Sequence, residues 1–449
     1  MKSIITILVI SVVQFYSSPT CNAQEEKRPN IIFIVADDLG YGDLSYLGAK
    51  DIRTPNIDRL ASTGMKMTNF YANSTVCSPS RASLLSGYYP DMVGVPGVIR
   101  QVKKDSWGHL KEDVVLLPSV LKSSGYATAM IGKWHLGFEK PNTPNYKGFD
   151  HFKGFLGDMM DDYYTHLRGG VNWMRENEKE INPVGHATDI FTGWAEEYFQ
   201  ERRKSKTPFF LYLAYNAPHF PIQPPAEFLA TVRSREKNIG VDRAMNAALV
   251  EHLDHAIGRV IKSLAENGLA ENTVIVFVSD NGGSLPHAQS NGSLRGGKQD
   301  MFEGGIKIPA IIYWKNKIKA GSVMSNQSLL MDLFPTICEM VGIKNNISID
   351  GRSFLPAIFD SKYVEESRYV YWVRREGNKY NGLCYYAARL GNFKILQNSP
   401  SEPYLFFDLE KDPLEKNPLA TKGSLVYDDL VMHLKAHIKR TEGVPWQKL

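Results

Sequence analysis

Four short apolar runs in this chain each stop abruptly on polar residues. Residues 31–36 run into Asp37 and Asp38, and residues 126–131 into Gly132, Lys133, Trp134 and His135. Residues 209–214 lead to Asn216, Ala217, Pro218 and His219, and residues 274–278 to Ser279, Asp280 and Asn281. Unbroken β-branched and aromatic runs of this length fit strands buried on both faces, as in a parallel sheet. Helical stretches lie between them: residues 54–61 with Pro55 at a first helical position, 118–124, and 242–267 with apolar residues at helical spacing. The alternation predicts an α/β fold, a large mixed, mostly parallel sheet sandwiched by helices. In such sheets ligands collect beyond the carboxyl ends of the strands, where these Asp, Asn, Lys and His residues fall. After about residue 365 the pattern changes. Residues 369–374, 384–390 and 393–396 read as strands separated by Gly and Asn turns, and 425–440 as an amphipathic helix. The expected organisation is a main domain over 24–365 and a smaller C-terminal α+β subdomain over 366–449, with an antiparallel sheet and a terminal helix.

Composition narrows the function classes. A chain of 449 residues leaves ample material for a large core. A net charge of +4 is small for that length and argues against a nucleic-acid-binding face, while leaving room for a local basic pocket for a small anion. Lys2, an apolar stretch over 4–13 and small residues around Cys21 and Ala23 read as an export signal over 1–23. The expected location is periplasmic, with secretion or lipid attachment at Cys21 as alternatives. No segment reaches the roughly 18 apolar residues of an integral membrane span. Without the signal, Cys77, Cys338 and Cys384 remain, an odd number that predicts at least one unpaired sulfur.

The segment from Cys77 to Gly87 holds the most chemistry. Pro79 sits where a helix could begin and Gly87 where it could end. Cys77 then lies at the positive end of a short helix, which suits a group that becomes anionic or holds an anion. The residue types alone leave two readings, a low-pKa thiolate nucleophile and a structural cysteine. Asp37, Asp38, Asp280 and Asn281 are oxygen ligands suited to a hard divalent cation, although such pairs also serve as turn and cap residues. No Cys/His cluster has zinc spacing. Arg81, Lys133 and Lys298, with Arg295 less secure, are singled out to face an anion only by the motifs around them, since a lone Lys is far more often a solvated surface charge. His135 and His219 are candidates for proton transfer, and are equally readable as structural histidines.

Cys77-Ser78-Pro79-Ser80-Arg81 followed by Leu84-Leu85-Ser86-Gly87 resembles the signature of the type I, formylglycine-dependent sulfatases of the alkaline phosphatase superfamily. The similarity runs from about residue 28 to 420, through blocks at 30–48, 132–137, 294–309, 331–342 and 406–420. The resemblance implies an alkaline-phosphatase-like fold and a sulfuric ester hydrolase. It also implies a maturase that oxidises Cys77 to 3-oxoalanine (formylglycine). One Ca2+ ion would be bound by Asp37, Asp38, Asp280, Asn281 and the modified residue 77. The hydrated aldehyde, ionised with help from calcium and Arg81, attacks sulfur, while Arg81, Lys133 and Lys298 hold the sulfate. His219 or Lys298 protonates the departing alcohol, and His135 takes the proton whose loss expels sulfate. Tyr88 departs from the pattern, since many members carry Arg or Lys there. Residues 148–166 resemble the N-acetylgalactosamine-4-sulfatase (arylsulfatase B) branch, which implies a sulfated poly- or oligosaccharide: a glycosaminoglycan, or an algal galactan or ulvan. Trp173, Arg175, Trp372, Arg374 and Arg375 are candidates to stack on sugars or pair with uronates. Two other readings compete. A phosphoester or phosphonate hydrolase of the same superfamily would share the layout, but its phosphatases typically hold two metals with extra His and Asp ligands. A catalytically silent glycan-binding protein would have lost the Cys, a metal ligand or a pocket base, and none is missing.

Overall fold

The computed structural model describes residues 27–444 apart from 103, 104, 345, 346, 378, 379 and 381. The expected export signal over 1–23, Cys21 included, lies outside the described residues. At the centre is a ten-stranded mixed sheet. The four apolar runs form its inner strands, Thr273–Ser279, Asn30–Ala36, Phe209–Ala214 and Ala127–Lys133, side by side in that order and all parallel. His151–Phe155 adds a fifth parallel strand. On the opposite flank Ala310–Trp314 runs antiparallel to Thr273–Ser279, followed by Met65–Met67 and Ser322–Met324. Met174–Glu176 and Lys179–Glu180 complete the other edge. The expected fold class holds.

The inner strands read as unbroken apolar runs because alternate residues enter two different cores. Ile31, Phe33 and Val35 pack with Leu84 and Leu85 of the helix Cys77–Ser86 and with Leu333 and Phe334 of Leu333–Met340. Ile32 and Ile34 pack on the other face with Ile57 of Pro55–Thr63, Phe191 of Ala187–Arg202, and Leu253 and Ile257 of Val241–Glu266. A one-residue slip would exchange the two sets, so packing fixes the register that aligns the strand ends. Among the described residues no helix is long and apolar enough to cross a membrane.

Beyond this core, Tyr369–Arg375, Cys384–Leu390, Phe393–Gln397 and Leu405–Asp408 form a four-stranded antiparallel sheet. The helix Leu425–Arg440 covers one face through Leu430 and Leu434. The other face packs Trp372, Ala387 and Phe407 onto Tyr71, Met301 and Met331 of the main body. The last strand was not anticipated; its four residues are too few to show a period. Trp372 is fully buried, and its indole N–H donates to the Ala72 carbonyl at 2.7 Å, so it is a packing residue and not a sugar platform. Arg374 is also buried, donating to Glu376 Oε1 at 2.8 Å.

Lys394 pins this sheet to the main body. Its ammonium donates to Glu303 Oε1 at 2.9 Å and Glu415 Oε1 at 2.8 Å, all three side chains being buried. Lys394→Ala leaves two buried carboxylates without their cation and is expected to destabilise the protein by about 3–5 kcal/mol, read from the denaturant midpoint.

Candidate active site

The site is assembled from strand ends that the sheet register brings level. Ala36 pairs with Ser279, so Asp37 and Asp38 emerge beside Asp280 and Asn281. The Asp38 N–H donates to Asp280 Oδ1 at 3.2 Å, and Asn281 Nδ2 donates to Asp38 Oδ1 at 2.8 Å. Lys133 ends the strand Ala127–Lys133, and His135 lies two residues on. His219 lies in the loop after Phe209–Ala214. Asp38 and His135 have φ of 62° and 59°, a left-handed backbone that non-glycine residues adopt only where the surroundings enforce it.

Cys77 opens the helix Cys77–Ser86, all ten residues of which are buried, and Gly87 ends it with φ of 76°. The helix begins two residues before Pro79, because the N–H groups of a first turn have no intrahelical partner and a proline there loses nothing. Ligand atoms of Cys77, Asp37, Asp38 and His219 lie within 4.8 Å of one another. Burial pushes the Cys77 thiol up to about 12, outweighing Lys133 and Lys298, which disfavours the low-pKa thiolate that the residue types left open. Cys338 and Cys384 are also unpaired.

Three cations meet three acids here. Arg81, one turn along the helix, donates through Nε to Asp280 Oδ2 at 2.9 Å, places Nη2 2.8 Å from the same oxygen, and donates through Nη1 to the Lys133 carbonyl at 3.0 Å. Lys133 Nζ donates to Asp37 Oδ2 at 2.5 Å. Lys298 Nζ donates to Asp38 Oδ2 at 2.7 Å and lies 3.0 Å from His219 Nε2. Burial alone would raise Asp37, but Lys133, with His219, Arg81 and Lys298, holds it far below the usual carboxylate range. Asp38 is lowered in the same way, chiefly by Lys298 against its burial. Asp280 goes the other way: burial and the neighbouring Asp37 push it up to about 7 in spite of Arg81.

Both histidines are held below their ordinary value. Burial and then Lys298 lower His219; burial, Lys133 and Arg81 lower His135 further. Backbone carbonyls settle their tautomers, since a carbonyl only accepts. His219 Nδ1 donates to the Phe220 carbonyl at 2.6 Å, leaving Nε2 to accept from Lys298. His135 Nε2 donates to the Ile99 carbonyl at 2.9 Å, leaving Nδ1 buried without a partner.

The Sulfatase family model matches residues 29–343. The chain is a member of the sulfatase family. A second model, N-sulphoglucosamine sulphohydrolase, C-terminal, matches residues 297–443. N-acetylgalactosamine-6-sulfatase of Sus scrofa is 33% identical over 388 residues, covering 82% of this chain and 71% of that protein. Arylsulfatase J of Mus musculus is 34% identical over 345 residues, covering 74% of this chain and 56% of that one. Among solved structures, Ps i-CgsB in complex with k-i-k-neocarrahexaose aligns with a TM-score of 0.83 at 31% identity, over 92% of this chain and 93% of that one. This sulfatase is accordingly a sulfuric ester hydrolase.

The residues singled out in the sequence separate into two groups. Asp37, Asp38, Cys77, Arg81, Lys133, His135, His219, Asp280 and Asn281 are buried, and Lys298, part-buried, reaches in to Asp38 and His219. Arg295 turns away, donating to the Glu415 carbonyl at 2.5 Å and lying over the Phe302 ring at 3.9 Å. Trp173 donates to Gln101 Oε1 at 3.1 Å and packs on Phe138, while Arg175 lies over Trp173 at 5.8 Å. Arg375 lies over Tyr386 at 5.9 Å. Tyr88 is half-buried just beyond the signature helix, its N–H donating to Ser86 Oγ at 3.2 Å. Sequence reasoning missed the supports. Ser78 Oγ accepts the Ile99 N–H at 3.0 Å, and Asn291 Oδ1 accepts the Gly283 N–H at 2.9 Å. Backbone partners of this kind carry no residue signature, although Asn291-Gly292 is legible as a turn.

The family implies a metal ion, and the residues fit one. Asp37 Oδ1 and Asn281 Oδ1 are buried without a hydrogen-bond partner, beside Asp38 and Asp280, an all-oxygen set appropriate to a hard divalent cation. Calcium added to chelator-treated protein is therefore expected to bind at one ion per chain by equilibrium dialysis. At free calcium about 100-fold above its Kd it should stabilise the fold by about 2.7 kcal/mol. Asp38→Ala should abolish both effects.

Proposed function

We propose that this sulfatase hydrolyses sulfate monoesters on sulfated poly- or oligosaccharides outside the cytoplasm, most simply in the periplasm. In this reading a maturase first oxidises Cys77 to formylglycine, and one calcium ion is held by Asp37, Asp38, Asp280, Asn281 and residue 77. The observation that carries the reading is the convergence of Lys133–Asp37 and Lys298–Asp38 on Cys77, with His219 Nε2 3.0 Å from the Lys298 ammonium. The hydrated aldehyde would supply a hydroxyl nucleophile and a route for releasing sulfate that serine or cysteine lacks, and calcium would supply Lewis-acid polarisation.

The chain's own residues do the remaining work. The first turn of Cys77–Ser86 offers unpaired N–H groups to an anion at its N-terminus. Lys133 and Lys298 stand ready for the nonbridging sulfate oxygens, and Arg81 keeps Asp280 and the Lys133 carbonyl in place. Lys298, backed by His219, faces the departing alcohol. His135 Nδ1, buried with its lone pair free, can take a proton from a hydroxyl on residue 77.

Charge favours sulfate over phosphate. With Asp280 ionised as a metal ligand, the three acids and the cations Arg81, Lys133 and Lys298 cancel, and a bound dication adds two positive charges. A singly charged sulfate ester and an ionised nucleophile cancel those, whereas a doubly charged phosphate monoester would leave an excess negative charge in a buried site. The silent glycan-binding reading has no missing residue to support it. A carbohydrate substrate is supported by the relatives named for N-acetylgalactosamine 6-sulfate and by the neighbour that holds a neocarrahexaose.

The decisive experiment weighs the Cys77 peptide after co-expression with a formylglycine maturase. Conversion should lower its mass by about 18 Da. The converted enzyme should prefer 4-nitrophenyl sulfate to 4-nitrophenyl phosphate by at least about 100-fold in kcat/KM, and His219→Ala should lose about 100- to 10,000-fold on an oligosaccharide sulfate. An unshifted peptide, with a reference sulfatase converted in the same cells, sinks the mechanism. A preference for phosphate revives the phosphoester reading.

A further inference from the structure

Two loops rise from the strand ends and meet above Lys298. The first carries His219 and then Phe220, whose carbonyl accepts the His219 Nδ1 proton at 2.6 Å. The second leaves Asp280 and Asn281, turns at Leu285–His287, and returns at Lys298, whose N–H donates to the Gly283 carbonyl at 2.9 Å. Gln289 ties the loops together, its Nε2 donating to the Pro218 carbonyl at 2.8 Å. At their tips the Phe220 and His287 rings stack, with centroids 4.5 Å apart and planes 22° from parallel. His287 Nδ1 lies 2.9 Å from Ser284 Oγ, which sets the ring's direction.

Phe220 is 43% exposed and Leu285 49% exposed. A single exposed phenylalanine is ordinary on a protein surface. Here an exposed phenylalanine, a histidine stacked on it and an exposed leucine occupy two loops tied together beside the proposed proton donor. Pro218 and Pro221 flank the position and restrict its backbone, so little freedom remains to be lost on binding.

We infer that Phe220 and His287 form a platform for the sugar that carries the sulfate ester, which makes Phe220 a determinant of leaving-group selectivity. The inference rests on the sulfatase reading above. With sulfur at residue 77 and the bridging oxygen at Lys298 and His219, the carbon bearing that oxygen lies on the solvent side of His219, where Phe220 is the adjoining exposed apolar surface. A galactose-configured ring suits such a platform. Its axial 4-hydroxyl lies on one face, leaving a continuous patch of C–H groups on the other to rest on an aromatic face.

The test uses the converted full-length enzyme, galactose 6-sulfate and N-acetylgalactosamine 6-sulfate as probes, and inorganic sulfate as a competitor for the anion pocket. In Phe220→Ala, KM for the better sugar sulfate, or its inhibition constant against 4-nitrophenyl sulfate, should rise at least tenfold. Inhibition by inorganic sulfate should keep its constant within about twofold, the scale on which separate contacts behave independently. Phe220→Trp should restore sugar binding, and His287→Ala should weaken it in the same direction by a smaller factor. Unchanged sugar-sulfate constants in Phe220→Ala overturn the platform and leave the sulfatase reading standing. A matching loss of affinity for inorganic sulfate also overturns it, because Phe220 would then act through the shape of the anion pocket. Failure of both sugar sulfates to compete in the unsubstituted enzyme removes the proposed occupant. Absence of all sulfatase activity, by contrast, is a failure of the reading on which the platform rests.

Discussion

The structure depends on one electrostatic demand: Asp37, Asp38 and Asp280 are buried at the ends of two adjacent parallel strands. Buried carboxylates are tolerated only when paired and hydrogen-bonded. The three cations that meet them come from three distant places in the chain, Arg81 from a helix, Lys133 from the next-but-one strand and Lys298 from a long loop. Satisfying the acids therefore fixes the helix start, the strand end and the loop return relative to one another. The same pairings set the positions of the groups that would hold a sulfate. Here stability and function draw on the same contacts, which is why so little of this region is free to vary in position.

Close backbone approach is the second condition. Gly132, with φ of 101°, lies so near the neighbouring strand that a side-chain carbon would come within 1.9 Å of the Ala214 carbonyl oxygen. Gly282, directly after Asp280 and Asn281, would meet the Gly304 carbonyl at 1.8 Å. Glycine at these points lets Lys133 and Asn281 sit close to their partners. The C-terminal sheet adds a clamp. Glu376 accepts from Arg374 at 2.8 Å and Arg100 at 3.1 Å. Arg374 also donates to the carbonyl of Gln299, next to Lys298, and Arg100 follows Ile99, which holds His135. A sheet that contributes none of the proposed catalytic groups thus braces both sides of the site.

The parts of the protein that were legible in its sequence are those where burial imposes a pattern. Strands covered on both faces leave unbroken apolar runs, and polar residues that interrupt such runs at their ends must be paired or functional, so Asp37, Asp38, Asp280 and Lys133 stood out. Elsewhere the pattern was present but misread. In Tyr369–Arg375, alternation puts Val370, Trp372 and Arg374 on one face, and that face is the buried one. A tryptophan and an arginine taken singly look like sugar contacts, whereas taken at period two they are packing. The carbonyls of Ile99, Phe220 and Lys133, which orient His135, His219 and Arg81, were not legible at all, because any residue can supply a carbonyl.

Those carbonyls decide more than orientation. By accepting at Nε2 of His135 and Nδ1 of His219, Ile99 and Phe220 leave the opposite nitrogen of each ring with its lone pair, which at His219 meets Lys298 and at His135 is buried without a partner. Each imidazole is thus built to accept a proton before it can give one, and burial beside lysines holds both below the ordinary histidine value. In the proposed reaction that suits His135, whose task is to remove a proton. For the departing alcohol it shifts the acid role to Lys298, whose ammonium already points a proton along the 3.0 Å line to His219 and is held charged by Asp38. His219 then acts by orienting that ammonium and sharing its proton. The two histidines, both buried and both held by a backbone carbonyl, are separated in role by what meets the free nitrogen: the Lys298 ammonium at His219 Nε2, and no hydrogen-bond partner at His135 Nδ1.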